Sequence, residues 1–563
     1  MCEHELLGLC FTRAPSEAGF AIFGFSEFLA ALALLVLVYN STDPLYRFRI
    51  AVAPLPLYHL TFVSTAIIGA GTLLTDLWFA ERWYAPAWGV SRATLQGIFG
   101  SAFLVTVLLW IWFAFIRPSK YGRWNHPLYF RAFYRAMVKG SEADLPTLAS
   151  ELLRSVRPLV SFAALLPKES EKERSEVAVN AHNLLLMIGN RKFCRHVVAS
   201  SPVTAMALVE EAIFQGKYSL PLGQFLRNLT VESIFNVDSI LYHEDSGYSS
   251  GLVGYVQPFS KTIYGNFKFV ESLSHSGISP LDIDYPFPDK MNGVQFEAYC
   301  RITRITLMDF VESGRYVNHS YALYRAFDII KDAGKSLYKL NGAPQGVSIS
   351  DATDRVSAAV GFLSETMRFL GLRKDLEFGQ LRASRDGEPF GTPSLFDNLA
   401  EIMFEIVLDS AHVKSPAETA WAVQYVTIWG RLFSHHEKNV AWKTVGFKFR
   451  RLIYDEIKKM NEMPNFKSAK ILGLCLNIFG LSQPKTKGRY RDMFPLAKAV
   501  FSWTKRHFLE VDEALPRVAD ACAIGGITFD REAGSLTKTY AQGLRNEPSI
   551  EVLVLNKPTS KKR

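Results

Sequence analysis

Polar side chains at helical spacing are the first candidates for chemistry in this chain. Four of them share one face of a predicted helix over 394–413: Glu401, Glu405, Asp409 and His412. The pair Asp409 and His412 has the spacing that carboxylate-bridged metal sites use on bundle helices. Such a site needs a second matching motif, and the sequence offers none. The four residues also lie opposite the apolar stripe of the same helix, so they are predicted to face water and to bind no metal.

Two short motifs match parts of enzyme sites without the surroundings those sites need. Residues 247–251 fit the nucleophile elbow G-x-S-x-G around Ser249, which works only on a sharp turn between a strand and a helix. The preceding residues end in charge, so a loop rich in Gly and Ser is predicted, with a hydrolase as the alternative. The tripeptide Gly-Lys-Ser at 334–336 ends like a P-loop, but Ile329 stands where the phosphate-cradling glycine is required.

The remaining polar clusters also lack a complete site. A proline-rich stretch carries three carboxylates that could ligate a hard cation: Asp282, Asp284 and Asp289. No glycine or closing glutamate of a calcium loop follows at the required spacing, so a solvated turn is predicted. The six cysteines include no C-x-x-C pair, which excludes an obvious zinc ribbon. The sequence therefore predicts no catalytic residue, metal ligand or cofactor, and favours a protein that is not an enzyme.

Two ionisable residues lie within long apolar runs near the start of the chain, Glu27 in the first and His59 in the second. If these runs cross a bilayer in opposite directions, the two residues lie roughly 13 and 22 Å below the outer surface at a 1.5 Å rise per residue. A charge in hydrocarbon costs at least ~3 kcal/mol, so such groups are usually paired or line a polar path. Glu27 and His59 are therefore predicted as an intramembrane polar pair. It would serve as a sensor, as an ion or proton path, or as a structural hydrogen bond.

A segment that we call the basic collar, residues 117–139, contains cations and aromatic residues but no acid. Cations near an anionic leaflet contribute about 1 kcal/mol each, and aromatic rings settle at headgroup depth. Contact with lipid headgroups is predicted for seven of these residues: Arg117, Lys120, Arg123, Trp124, Arg131, Arg135 and Lys139.

A second basic region occupies residues 438–509 and interleaves cations with aromatic side chains. The candidates for binding an anionic partner are Lys443, Lys448, Arg450, Arg451, Lys485, Lys487, Arg489 and Arg491. Cations with stacking aromatics are typical of non-specific nucleic-acid binding. The same residues suit a membrane or an acidic protein, and a solvated helical face is the plain alternative.

The elements that must position these residues begin with three apolar runs, at about 20–38, 50–74 and 97–116. Each has the roughly 20 residues that a helix needs to cross a bilayer. The first run is not predicted to be a signal peptide. A signal peptide begins with a positively charged region, whereas acids outnumber cations before this run. A membrane domain over 18–116 with three transmembrane helices is therefore predicted.

The distribution of Lys and Arg around the runs predicts an orientation. The largest excess of cations follows the third run, in the basic collar over 117–140. The short tail at 1–17 is accordingly predicted outside, and the loop at 75–96, rich in Trp, lies at the outer surface. The large C-terminal part is predicted in the cytoplasm of a cell whose plasma membrane, or bacterial inner membrane, holds the protein.

The rest of the chain shows helical periodicity nearly throughout, so the fold class is predicted to be mainly α. The only strand candidates are short, at 527–529 and 552–555. Gly and Pro concentrate at 276–293, which suggests two helical lobes, 141–285 and 286–563. No repeat of fixed period is visible.

These features predict an integral membrane protein whose helical cytoplasmic domain binds, scaffolds or senses. Membrane lipids of an anionic leaflet, an unidentified cytoplasmic protein or nucleic acid, and a second copy of the chain are the predicted partners. Two alternatives stay open. One is an oligomeric, channel-type or membrane-perturbing effector gated by the cytoplasmic domain. The other is a membrane-tethered protein that binds nucleic acid.

Overall fold

Helices dominate the computed structural model, which is 73% helical, and the mainly α prediction is confirmed. It describes residues 4–6, 9–13, 23–41, 43–86, 91–163, 175–244, 257–284, 286–316, 319–343, 351–373, 376, 393–433, 439–484, 493–540 and 549–557. The chain divides into two units, Met1–Leu229 and Thr230–Arg563.

The first unit holds the apolar N-terminal helices and the basic collar. Its helices are α1 Phe25–Ser41, α2 Pro44–Ala51, α3 Leu57–Ala80, α4 Arg92–Ile111, α5 His126–Lys139, α6 Asp144–Ala163, α7 Glu176–Met187, α8 Arg191–Ser200 and α9 Pro202–Phe214. A π-helical turn, Trp112–Ile116, continues α4. Three short strands, β1 His4–Leu6, β2 Leu9–Arg13 and β3 Tyr84–Pro86, form an antiparallel sheet in that order. The helix α10 Gly223–Phe235 crosses the division between the units.

The second unit is a larger helical assembly with a small sheet at its C-terminal end. Its helices are α11 Ile240–His243, α12 Pro258–Tyr264, α13 Phe267–His275, α14 Phe287–Lys290, α15 Gly293–Glu312, α16 Tyr321–Lys331, α17 Asp351–Leu372, α18 Leu395–Ser410, α19 Ala417–Trp421, α20 Gly430–Phe433, α21 Val440–Lys458, α22 Phe466–Phe479, α23 Phe494–Ala514 and α24 Pro516–Asp520. A π-helical segment, Ala422–Trp429, joins α19 to α20. The strands β4 Ile527–Asp530, β5 Ser535–Thr539 and β6 Ile550–Val554 form an antiparallel sheet, which confirms both predicted strands.

Two helices among the described residues are long and apolar enough to cross a membrane: α3, and α4 with its π-helical turn. Helix α1 is apolar but shorter. The outward faces of α3 and α4 carry large apolar side chains; Phe62 is 76% exposed and Ile67 61%. Contiguous exposed apolar surface of this kind is typical of protein that contacts a membrane or a partner.

Small residues allow the three apolar helices to approach one another closely. A Cβ on Gly69 would lie 2.7 Å from the ring of Phe28 in α1, and one on Gly71 would lie 2.4 Å from the ring of Phe99 in α4. Both distances are below van der Waals contact, so a larger residue at either position would have to displace a phenylalanine ring. Small residues at contacts between apolar helices allow the helices to approach closely.

The apolar helices alternate in direction, and this places their connections at two opposite ends. At one end the Asp76 carboxylate of α3 accepts a hydrogen bond from the Phe25 N–H at the start of α1. At the other end Leu57 at the start of α3 packs with Trp110 and Ala114 at the end of the third apolar helix. The N-terminal sheet thus lies at the first end, and α2 lies at the second.

The core of the second unit is built around aromatic side chains. Trp429 is fully buried, and its ring contacts Phe433, Phe449 and Phe479. Helix α18 begins with a capping box, in which the Ser394 hydroxyl accepts from the Asp397 N–H while the Asp397 carboxylate accepts from the Ser394 N–H. This cap fixes where the helix that carries Glu401, Asp409 and their neighbours starts.

The division between units differs from the predicted lobe boundary at 285/286. The proline-rich stretch 276–293 does not separate two bodies, because its apolar residues Leu281, Ile283 and Met291 are buried within the second unit. The Tyr299 hydroxyl also donates to the Leu281 carbonyl over 2.8 Å. Proline and glycine here produce turns inside one unit, which composition alone does not distinguish from a linker.

Candidate membrane-contacting surface

The basic collar presents a continuous exposed face. All six of its cations are exposed. Trp124, just before α5, is 89% exposed, and Tyr134 on α5 is 52% exposed. On α5 the residues Arg131, Tyr134, Arg135 and Val138 recur at intervals of three and four, so they share one side of the helix.

The opposite side of α5 anchors the collar to the first unit. Tyr129 and Phe133 are 1% and 0% exposed, and their rings stack on each other and pack on neighbouring aromatic residues. The Asn125 side-chain amide before the helix donates to the Val52 carbonyl over 2.8 Å. Since Val52 ends α2, this bond fixes α5 beside the end of the apolar helices that α2 occupies.

The cations of the collar have no carboxylate partner among the described residues. No ion pair within 4.0 Å involves Arg117, Lys120, Arg123, Arg131 or Arg135 in that part of the chain, and the same holds for Lys139. Exposed, unpaired cations beside aromatic rings suit phosphate-bearing headgroups, which accept hydrogen bonds from guanidinium and ammonium groups.

A buried ion pair links the same end of the apolar helices to α6. Arg49 in α2 pairs with Glu151 in α6 at 2.5 Å, and both side chains are about nine-tenths buried. Arg49 also donates to the carbonyl of Ala114 over 3.2 Å. The Arg49 cation therefore serves structure here, which the count of charges alone does not reveal.

The structure does not bring Glu27 and His59 together. Glu27 lies in the first turn of α1, where its carboxylate accepts from the Gly24 N–H, and His59 lies in the first turn of α3. Because these helices run in opposite directions, their first turns lie at opposite ends, roughly 25 Å apart along the axis at 1.5 Å per residue. The two residues therefore do not form a pair in this structure, in which α1 begins at Phe25 and α3 extends to Ala80, beyond the apolar run that ends at about residue 74.

A polar network that the sequence reading missed lies at the end of α3. The carboxylate of Asp76 accepts from Phe25 N–H, from Arg92 at 2.9 Å and from the Gln96 amide at 3.0 Å. Gln96 is 0% exposed. The sequence predicts a loop at Asp76, because this residue follows the apolar run. In the structure α3 extends to Ala80, so Asp76 lies one turn before the end of the helix.

The second basic region is only partly available to a partner. Lys448 is 3% exposed and pairs at 2.5 Å with Asp397, the capping residue of α18, so its assignment to an anionic-partner site is wrong. Its position on the buried side of α21 explains the difference. Lys443 is exposed on the other side, together with Arg451, which pairs with Asp455 at 2.8 Å.

The other candidates of the second basic region give a mixed outcome. Arg450 is half-buried and has a contact within the protein. The four cations Lys485, Lys487, Arg489 and Arg491 lie outside the described residues, as does Ser249. Their roles stay predictions from the sequence.

The acidic stripe of α18 faces water only in part. Glu401 is exposed, whereas Glu405, Asp409 and His412 are half-buried, and Asp409 lies so close to Gly334 that a Cβ there would lie 2.7 Å away. Burial, reinforced by the neighbouring charges of Glu405 and Asp332, raises the pKa of Asp409 to about 7. The ring of His412 contacts the Asp409 backbone carbonyl at 3.2 Å, so this pair does not form a chelating site.

Among the described residues, no group of three or more His, Cys, Asp or Glu side chains could hold a metal ion. The tripeptide at 334–336 lies at a 3₁₀ turn rather than at the start of a phosphate-binding helix. Comparison of the chain with protein-family models, with curated proteins and with solved structures finds no match. The exposed basic collar is therefore the best-defined candidate site.

Proposed function

We propose that this chain is an integral membrane protein in which α1, α3 and α4 cross the bilayer and the basic collar binds anionic headgroups at the cytoplasmic surface. The remaining helical domain acts there as a scaffold or sensor for a cytoplasmic protein or nucleic acid. The observation that carries the proposal is the unpaired cationic and aromatic face of α5, which begins ten residues after the third apolar helix ends.

The alternating directions of the apolar helices support a three-span arrangement. Three spans would put the N-terminal sheet on one side and α2, α5 and α6 on the other, an arrangement that the contacts of Asp76 and Arg49 support. Cytoplasmic segments are enriched in Lys and Arg. The collar side therefore faces the cytoplasm, and the N-terminus faces outside.

The exposed apolar side chains of these helices also support a bilayer as their environment. The described parts of α1 and the two longer helices expose leucine, valine, isoleucine and phenylalanine outward. Transfer of such apolar surface from water to hydrocarbon is favourable by about 25 cal/mol per Å². The 17 residues of α1 are at the lower limit for a span, so α1 is proposed to cross with little tilt.

A channel-type effector receives less support, because Glu27 and His59 are not in contact. Nucleic-acid binding rests on Lys443, Arg451 and cations outside the described residues. Binding of lipid headgroups at the membrane surface is therefore the function that we propose first. Co-purification of the full chain with and without nuclease identifies the cytoplasmic partner.

A fluorescence experiment tests the lipid contact. Trp124→Cys, labelled with a polarity-sensitive fluorophore in full-length protein, is reconstituted in nanodiscs of neutral lipid or with anionic phosphatidylglycerol. Anionic lipid is expected to shift the emission to shorter wavelength, because the collar draws the label into the headgroups. Phe214→Cys provides the matched control, since Phe214 is 82% exposed in the same unit but outside the collar.

Charge reversal separates lipid contact from general exposure. Arg131→Glu with Arg135→Glu is expected to abolish the lipid-dependent shift at Trp124, while Arg157→Glu with Lys192→Glu, both outside the collar, leaves it intact. The side chain of Arg157 is 82% exposed, and Lys192, Arg131 and Arg135 are exposed as well, so both double variants change surface charge without burying it. An equal shift in neutral and anionic nanodiscs would contradict the proposal.

A further inference from the structure

The last strand of the second unit, β6, has an open edge. Within the described residues the sheet has the order β4-β5-β6, so β6 has a neighbour on one side only. Tyr540 N–H donates to the Ser549 carbonyl, and Leu555 N–H donates to the Gly534 carbonyl. Hydrogen-bonded and non-bonded pairs alternate in an antiparallel ladder. The backbone groups of odd-numbered residues in β6 therefore face β5, and those of even-numbered residues face outward.

The residues at this open edge are also apolar and exposed. Ile550, Val552 and Val554 are 61%, 58% and 65% exposed, whereas Leu553 between them is 5% exposed. None of the three carries a charge, and none is proline, although Glu551 between them is charged. Natural edge strands usually carry charged residues or proline that block pairing with another strand. Because backbone N–H groups of the same unit bind the Glu551 carboxylate, the outer positions of β6 are still suited to accept a strand.

The inner face of the same sheet is fixed firmly, so the edge is presented on a rigid element. Lys538 of β5 is 1% exposed, donates to the Asn477 carbonyl, and lies 4.0 Å from the centre of the Tyr540 ring. The Glu551 carboxylate accepts from the N–H groups of Leu481 and Ser482. Within the part of the chain that the structure describes, these contacts leave the outer side and the edge of β6 uncovered.

We propose that β6 pairs with β6 of a second copy of this chain, antiparallel and about a two-fold axis through Val552. In this register Val552 lies opposite itself, and Ile550 lies opposite Val554. The pattern of apolar outer positions reads the same in both directions, which is what an isologous interface requires. The pairing forms roughly six backbone hydrogen bonds and joins two three-stranded sheets into one of six strands.

The size of the contact indicates where it forms. A five-residue strand pair falls below the ~1,200 Å² that a stable soluble interface buries, so free copies associate weakly. Confinement of both copies to one membrane raises their effective concentration and favours the pair. This step rests on the proposed function, whereas the geometry of the strand pair does not.

Disulfide cross-linking tests the register in the full-length chain. The four cysteines Cys194, Cys300, Cys475 and Cys522 are buried, so a background of Cys2→Ser and Cys10→Ser leaves a single introduced thiol accessible. Val552→Cys is expected to give a disulfide-linked dimer, because a hydrogen-bonded antiparallel pair has Cα atoms about 5.5 Å apart, within disulfide range. Thr528→Cys, exposed on the opposite edge strand β4, is the matched control and is expected to stay monomeric.

Two further variants make the result specific. Ile550→Cys alone is expected not to cross-link, but co-expressed with Val554→Cys it is expected to give a mixed dimer. Val552→Lys is expected to lower the dimer fraction about tenfold, since like charges directly opposite each other repel. Circular dichroism confirms that this variant is folded.

The reaction is run on membranes and on concentrated detergent-solubilised protein. A dimer through Val552 in detergent supports the strand pairing even if the chain proves not to be membrane-bound. Absence of the Val552 product in both samples, or a product formed equally by Thr528→Cys, overturns the proposal.

Discussion

The half-buried carboxyl group of Asp409 makes the folding stability of the protein depend on pH. Its pKa of about 7 in the folded protein exceeds the ordinary value of 3.8, because it is buried beside Glu405 and Asp332. The folded state therefore binds more protons than the unfolded state between these two values, and stability falls as pH rises through that window. Below pH 4 both states are protonated at this position and the effect disappears.

The first prediction follows from that sign. Asp409→Asn is expected to raise the melting temperature at pH 8 by on the order of 2 °C or more, because the amide carries no charge to bury. At pH 4 the variant and the parent protein are expected to melt alike. Scanning calorimetry at both pH values makes the measurement, with Glu462→Gln as the control at an exposed acid. A gain of equal size at pH 4 would contradict the role of the charge.

Lys448 gives the second prediction, which separates structure from partner binding. Lys448→Met leaves Asp397 without its ion pair and is expected to destabilise the protein by ~1.5–3 kcal/mol. Binding to anionic liposomes or single-stranded nucleic acid is expected to be unchanged. Lys443→Met should do the opposite, since Lys443 is exposed. Denaturant unfolding and co-sedimentation measure the two effects, and reduced binding by the Lys448 variant at unchanged stability would refute the assignment.

The sequence identified residue types better than it identified their surroundings. It singled out the cations of the collar for contact with lipid headgroups, which stays a prediction, and the structure shows that all six are exposed. It could not tell Lys448 from Lys443, since both belong to the same basic helix and only the packing of α21 on α18 distinguishes them. It likewise could not show that Asp409 packs against Gly334, which lies on a different element.

At the scale of elements, α2 and α6 are joined by the pair of Arg49 and Glu151. A buried ion pair adds little net stability, but removing one partner leaves the other charge without compensation. Arg49→Met is therefore expected to cost about 3 kcal/mol, at the low end of that range because Arg154 lies 3.4 Å from the same carboxylate.

The double variant supplies the decisive measurement for this pair. Arg49→Met with Glu151→Met is expected to recover most of the lost stability, because no buried charge remains. Thermal unfolding in detergent of the parent, the two single variants and the double variant forms a complete cycle. Additive losses in the double variant would show that the two side chains act independently.

The boundaries of elements follow local signals wherever a cap or a turn residue marks them. The helix predicted over 394–413 is observed as α18, and the strands β4 and β6 are confirmed at nearly their predicted positions. The N-terminal sheet was not predicted, because β1, β2 and β3 are short and their pairing joins residues about 75 positions apart. Helix α1 starts later than its apolar run, since hydrophobicity marks a run but not the residue at which a helix begins.

At the scale of the molecule, the proposed topology depends on which end of the apolar helices carries the collar. The structure connects the collar to the ends marked by Val52 and Ala114, and the N-terminal sheet to the end marked by Asp76. Neither connection could be predicted from composition, since the charges predicted only which side of the membrane the collar faces. The connections and the charges agree on the same topology, so a single accessibility experiment tests it.

The last prediction concerns this accessibility. Trp83→Cys, at a side chain 45% exposed beside the N-terminal sheet, is expected to react with a membrane-impermeant thiol reagent in intact cells. Trp124→Cys in the collar is expected to react only after the membrane is opened, because cations on the cytoplasmic side fix this orientation. Both variants carry Cys2→Ser and Cys10→Ser, so the introduced thiol is the accessible one.

Replacing all six collar cations with alanine is expected to reduce the labelling difference between the two positions. Labelling of Trp124→Cys in intact cells of the otherwise unaltered chain would place the helical domain outside and reverse the proposed topology.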